Sequence, residues 1–106
     1  MLEDRTKQWY NYSMSIHTLT TLSNSTATRL TPNGGHSGMD ITLQNVNTSG
    51  YIYIGGEGVT SSNYGYRISA NSAISFELPG YDSLYAIAST TSMSVAVLSI
   101  GLETNI

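Results

Sequence analysis

Charge is what this chain has least of. Only 10% of its 106 residues are Asp, Glu, Lys or Arg, against about 25% in an ordinary soluble domain. The basic residues number four (Arg5, Lys7, Arg29 and Arg67) and the net charge is −3. Nucleic-acid affinity comes largely from Lys and Arg neutralising phosphates. Four scattered cations make no basic stripe, so no nucleic-acid partner is expected, and no anionic membrane surface. Cysteine is absent, which excludes disulfides, thiolate metal sites and a Cys nucleophile. The two histidines, His17 and His36, form no His-x-x-x-His pair, and no Asp-rich calcium loop is present. Long apolar runs are missing too. Val95 to Leu98 is typical of the longest, far short of the roughly 20 residues of a membrane helix. Met1 to Ser13 has no apolar core of a signal peptide. The expectation is a soluble chain with no cofactor, no metal and no export signal.

Ser, Thr, Asn and Gly fill the space that charge leaves. The length suits one domain with one modest core, in which roughly 60 to 70% of the unfolded surface is buried. Residues 1–13 (MLEDRTKQWYNYS) stand apart, holding Glu3, Asp4, Arg5, Lys7 and the single Trp, with a second methionine, Met14, at the start of the Ser/Thr-rich body. They read either as a loose terminus or as an arm that orders against a neighbouring chain, since aromatics are favoured in interface cores. Residues 14–106 read as the domain.

The body shows strands throughout. Ile16 to Leu22 and Ala27 to Thr31 are Thr-rich and bounded by Ser-Asn-Ser and Pro-Asn-Gly-Gly. Met39, Ile41 and Leu43 alternate with Asp40, Thr42 and Gln44, the period-2 pattern of a strand with one buried face. Tyr51 to Ile54 follows a turn-like Asn-Thr-Ser-Gly. Ile74, Phe76 and Leu78 alternate again, and Pro79-Gly80 stops them. Leu84 to Ala88 and Met93 to Leu98 flank Ser-Thr-Thr-Ser. No window carries helical spacing. Seven or eight short strands separated by turn residues predict an all-β domain, a single small β-sandwich or barrel of jelly-roll-like kind with an extended N-terminal arm.

Gly55 to Gly65 (GGEGVTSSNYG) differs from the rest. It has four glycines and few core-formers, and a loop of this length in a compact domain is usually functional or disordered. Tyr51, Tyr53, Tyr64 and Tyr66 flank it, either as cross-strand neighbours or as a contact surface, for which tyrosine suits because it offers area with a polar tip. Comparison with phosphate loops fails: Val59 stands where a P-loop needs Lys, and Ser61 where the dinucleotide fingerprint needs Gly. Backbone permissiveness in a turn or bulge accounts for the glycines. His36, Ser37 and Asp40 supply the residue types of a nucleophilic triad, but a polar turn before a strand explains them equally well. Asp40, Glu57, Glu77 and Asp82 are isolated along the chain, although folding can bring carboxylates together. No enzymatic activity is expected. Asn11, Asn24 and Asn47 each begin an Asn-x-Ser/Thr triplet, expected by chance at this composition.

From Gly38 to Glu103 the chain resembles small virion proteins of tailed bacteriophages, especially those of actinobacteria. The residues that carry the likeness are Asp40-Ile41-Thr42-Leu43-Gln44-Asn45, Tyr51 to Ser62 (YIYIGGEGVTSS), Tyr64-Gly65-Tyr66-Arg67-Ile68 and Ser75-Phe76-Glu77-Leu78-Pro79-Gly80. Leu84 to Ala88, Val95 to Leu98 and Leu102-Glu103 extend it. The resemblance covers about two thirds of the chain and implies a head decoration (capsid cement) subunit, made in the host cytoplasm and carried on the capsid surface of the virion. Its partners would be the major capsid protein and itself, as a homotrimer, because shell sites lie on symmetry axes and closed assemblies are the common solution. Contact residues on this reading are Trp9, Tyr10 and Tyr12 of the arm, Glu57 and Tyr64 of the glycine-rich loop, and then Tyr66 and Arg67. The alternative is a host-surface or carbohydrate-binding module of a tail tip or fibre, with tyrosines stacked on sugar rings.

Overall fold

A computed structural model describes residues 15–31, 38–80 and 82–101. Trp9, Tyr10, Tyr12, His36 and Ser37 lie outside the described residues, and with them the expectations for an arm and a triad.

The described residues form eight strands: β1 Ser15–Leu22, β2 Thr28–Arg29, β3 Met39–Asn45, β4 Ile52–Gly55, β5 Tyr66–Ile68, β6 Ala73–Leu78, β7 Tyr85–Ala88 and β8 Met93–Gly101. They build two four-stranded sheets, ordered β1-β8-β3-β6 and β2-β7-β4-β5, with every pairing antiparallel. The order has a simple origin. The chain is one long antiparallel ribbon, in which β1 pairs with β8, β2 with β7, β3 with β6 and β4 with β5. The ribbon is rolled so that β8 also meets β3 and β7 also meets β4. This is the jelly-roll arrangement. Only β4 and β5 are joined within one sheet, so residues 56–65 form the tip of the ribbon.

The expected alternation is what the sheets use. Met39, Ile41 and Leu43 of β3 and Met93, Val95 and Val97 of β8 point inward from the first sheet. Ile52, Ile54, Ile68, Ala86 and Ala88 meet them from the second. Leu30, Ile74, Phe76 and Leu84 pack around this core, and Tyr66 closes one open side, its ring edge-on to Phe76 at 6.4 Å between centroids. The period-2 expectation for β3 and β6 therefore holds residue by residue. β5 is a strand that periodicity does not reveal, because only Ile68 of its three residues is buried.

One polar side chain belongs to the core. Asn45, at the end of β3, is fully buried. Its Nδ2 donates to the carbonyls of Gly50 (3.2 Å) and Ile68 (3.0 Å). Its Oδ1 accepts from the backbone N–H of Asn47 (3.0 Å) and from Asn47 Nδ2 (2.7 Å). Asn47 in turn bonds both backbone groups of Ser94 in β8. All four bonding positions of the buried amide are filled, which is the condition for burying one without penalty. The network ties both sheets together at one end of the sandwich. The Asn47 triplet is thus a structural element: its side-chain nitrogen is already committed.

The turns behave as their residues require. Gly50 has φ +88, and a Cβ there would lie 3.0 Å from Sδ and Cε of Met93. Asn71 has φ 63 in a turn closed by the Ser72 N–H to the Ser69 carbonyl at 3.1 Å, and asparagine is among the residues that tolerate that region best.

Candidate functional site

The side chains that face inward leave a defined set facing out from the second sheet. Since Ile52, Ile54, Ile68, Ala86 and Ala88 belong to the core, their neighbours Tyr53, Arg67, Tyr85 and Ile87 alternate onto the opposite face, where Ile87 alone of the four is buried. Register sets Tyr53 between Ile87 and Arg67, and Tyr85 opposite Arg29. Contacts then link them. The Arg67 guanidinium stands 4.2 Å from the centre of the Tyr51 ring. Tyr51 and Tyr53 are 6.4 Å apart, and Tyr53 and Tyr64 4.7 Å. On the far side Arg29 reaches Tyr85 Oη at 3.2 Å and the Thr31 carbonyl at 3.1 Å. Cations over aromatic faces and tilted aromatic pairs are each weakly favourable. Together they hold large side chains in fixed orientations on an exposed surface. Tyr51 and Tyr64 remain 38% and 42% exposed.

The glycine-rich tip is ordered against this face. Val59 is buried although it lies outside the core between the sheets. A Cβ on Gly55 would sit 3.1 Å from the Val59 side chain, so Gly55 is the seat on which Val59 rests. The Val59 N–H bonds the Gly56 carbonyl at 3.1 Å, Thr60 and Asn63 bond each other through their backbones, and the Gly65 N–H returns to the Ile54 carbonyl at 2.8 Å. Thr60 Oγ1 accepts from the Asn63 N–H at 2.9 Å. The tip is thus a small hairpin pinned by one apolar anchor. The tip encloses an open hollow of about 400 Å³, lined by Gly56, Gly58, Asn63 and Tyr64 among others.

The structure corrects the account of these glycines. Backbone permissiveness is required at Gly50, but neither Gly56 nor Gly58 has a positive φ, and a Cβ on either would meet nothing within 4 Å.

Of the expected contact residues, Glu57 and Tyr64 sit in the tip, both exposed, and Arg67 joins the tyrosines. Tyr66 instead turns toward the edge of the sandwich, where it meets Phe76. Tyr85 and Arg29 belong to the same face but were not among those expected. Period-2 reading would have found Tyr85, since its neighbours Leu84 and Ala86 are apolar.

The outer face of the first sheet is different. Leu19, Leu98 and Ile100 are exposed there, Leu19 to 67%, and β1 and β8 set them side by side with Ala96 and His17. Further across, Asp40 stands directly opposite Glu77. Folding does bring two carboxylates together, but on an open sheet face where both are exposed. Glu57 and Asp82 lie on other elements. Among the described residues no group of three or more His, Asp or Glu is placed to hold a metal ion.

No family model matches the chain, and searches of curated proteins and of solved structures find no significant match.

Proposed function

We propose that the protein is a decoration subunit of a tailed-phage head, docking on the major capsid protein through the tyrosine and arginine face of its second sheet. The observation that carries this reading is the continuous row Arg67, Tyr51, Tyr53 and Tyr64, held in contact and partly exposed on a sheet surface. Such residues are the usual anchors of protein interfaces. Their orientations are set before docking, so little side-chain freedom is lost on binding. The scarcity of ions acts in the same direction, because few charges need desolvation. The resemblance of residues 38–103 to small virion proteins supports the reading, as does the jelly roll, an architecture that recurs in viral capsid and lectin domains. Fold alone assigns no function. The exposed Leu19, Leu98 and Ile100 stripe supplies a separate surface for sister copies, in keeping with a trimer. A subunit that binds only the assembled shell stabilises it by mass action.

Densitometry of purified particles tests the proposal directly. A cement subunit is present in hundreds of copies and persists on tail-less heads. A faint band that vanishes with the tails would assign the protein to a tail tip or fibre instead. Sedimentation of the isolated chain should give about three times the 11.4 kDa chain mass.

A further inference from the structure

We propose that the hollow at the glycine-rich tip is a binding site for a neutral pyranose sugar unit, at the end of the tyrosine row and sharing Tyr64 with it.

Four observations lead there. The first is that Gly56 and Gly58 are glycines the fold does not need. Each has an ordinary φ and open space where a side chain would stand. Glycine lets a ligand approach the backbone closely, because no side chain stands in the way. The second is that the walls are equipped. Tyr64 has its ring backed by Tyr53 at 4.7 Å, so its direction is set while 42% of it stays exposed. Asn63 borders the same hollow, and its side-chain amide makes no hydrogen bond with the described residues. Its backbone N–H is the group that Thr60 holds. An oriented aromatic ring, an uncommitted amide and bare peptide groups form the kind of lining that small-molecule sites use: apolar contact with a few placed polar groups.

The third observation selects the ligand's charge. Among the described residues no charged side chain lines the hollow, so neither a phosphate nor a carboxylate finds a counter-ion from them. The fourth selects its shape. The tip turns back on itself through the Val59 to Gly56, Thr60 to Asn63 and Gly65 to Ile54 bonds, and residues 56–58 run through a bend and a turn. A turning backbone offers no straight edge for an extended peptide to join as an added strand. A compact ring that shows a C–H face to Tyr64 and hydroxyls to Asn63 and the glycine backbone fits all four conditions. The pinned hairpin holds the site in place before binding.

The test is a titration of the full-length chain followed by amide nitrogen–proton NMR shifts. The probes are methyl glucopyranoside, methyl mannopyranoside, methyl galactopyranoside and N-acetylglucosamine, each taken to about ten times a millimolar Kd. At least one should produce saturable shifts centred on Gly56, Gly58, Asn63 and Tyr64. Gly58→Ala should weaken that binding by about tenfold or more while the melting temperature stays level or rises. Asn63→Ala should weaken it without moving the fold's other resonances. The inference is overturned by the absence of saturable shifts with all four sugars, by shifts that persist unchanged in Gly58→Ala, or by a lowered melting temperature in that variant, which would make the glycine structural. Saturable shifts at the tip from an unstructured peptide alone would overturn it in favour of a protein partner. None of these results bears on copy number in the particle, so this site and the head-docking face stand or fall separately.

Discussion

Two regions of this molecule hold polar and glycine residues at close quarters, and they are built on opposite terms. Around Asn45 everything is spent internally. The amide fills all four of its bonding positions, Asn47 clasps β8, and Gly50 adopts a backbone angle that other residues resist, under the Met93 side chain. At the tip of the ribbon the backbone is pinned, but Gly56 and Gly58 answer to nothing inside the fold and the Asn63 amide is uncommitted. The contrast separates residues that folding demands from residues that folding merely permits. Only the second kind is free to be explained by something outside the chain.

Asn45→Ala strands the Gly50 and Ile68 carbonyls and the Asn47 side chain in a buried setting, and should lower unfolding stability by about 3 kcal/mol. That is a large share of the roughly 5–15 kcal/mol such a domain possesses. Urea unfolding with an unchanged slope and a lower midpoint is the expected reading. A midpoint that barely moves would show that the knot is not what joins the sheets. Gly50→Ala comes next, at about 1–2 kcal/mol, because the residue must hold a left-handed angle and place its methyl 3.0 Å from Met93. The smallest effect, and of opposite sign, is expected at the tip. Gly58→Ala removes freedom from the unfolded chain without strain in the folded one, and should raise stability by about 0.4–1 kcal/mol. Equal losses at Gly50 and Gly58 would erase the distinction between the two regions.

The outer faces repeat the lesson at larger scale. One carries tyrosines and arginines locked in mutual contact, the other an apolar stripe next to a like-charged pair. Asp40 and Glu77 oppose each other across β3 and β6, an arrangement that costs stability.

Much of this fold was legible from residue order. Alternation in β3 and β6, the turn residues before β4 and between β7 and β8, and the lack of helical spacing all translate directly into what is observed, because a strand half buried must alternate. β5 was not legible, since an edge strand of three residues with an arginine in its middle carries too little pattern. Asn45 was not legible either. In a chain rich in Asn, a core amide and a turn amide look alike until their partners are known, and Ile68 lies 23 residues away.

Residue order settles that this chain makes sheets, keeps its ions few, and breaks its pattern at one glycine-rich stretch. Those are local matters, decided by which neighbours alternate and which residues interrupt them. Strand pairing is what makes the stretch the tip of a rolled ribbon, puts four tyrosines and two arginines on one face, and leaves two glycines there that serve no need of the fold. Each depends on pairings between residues far apart in the chain, and no local pattern records which distant strand will supply the partner.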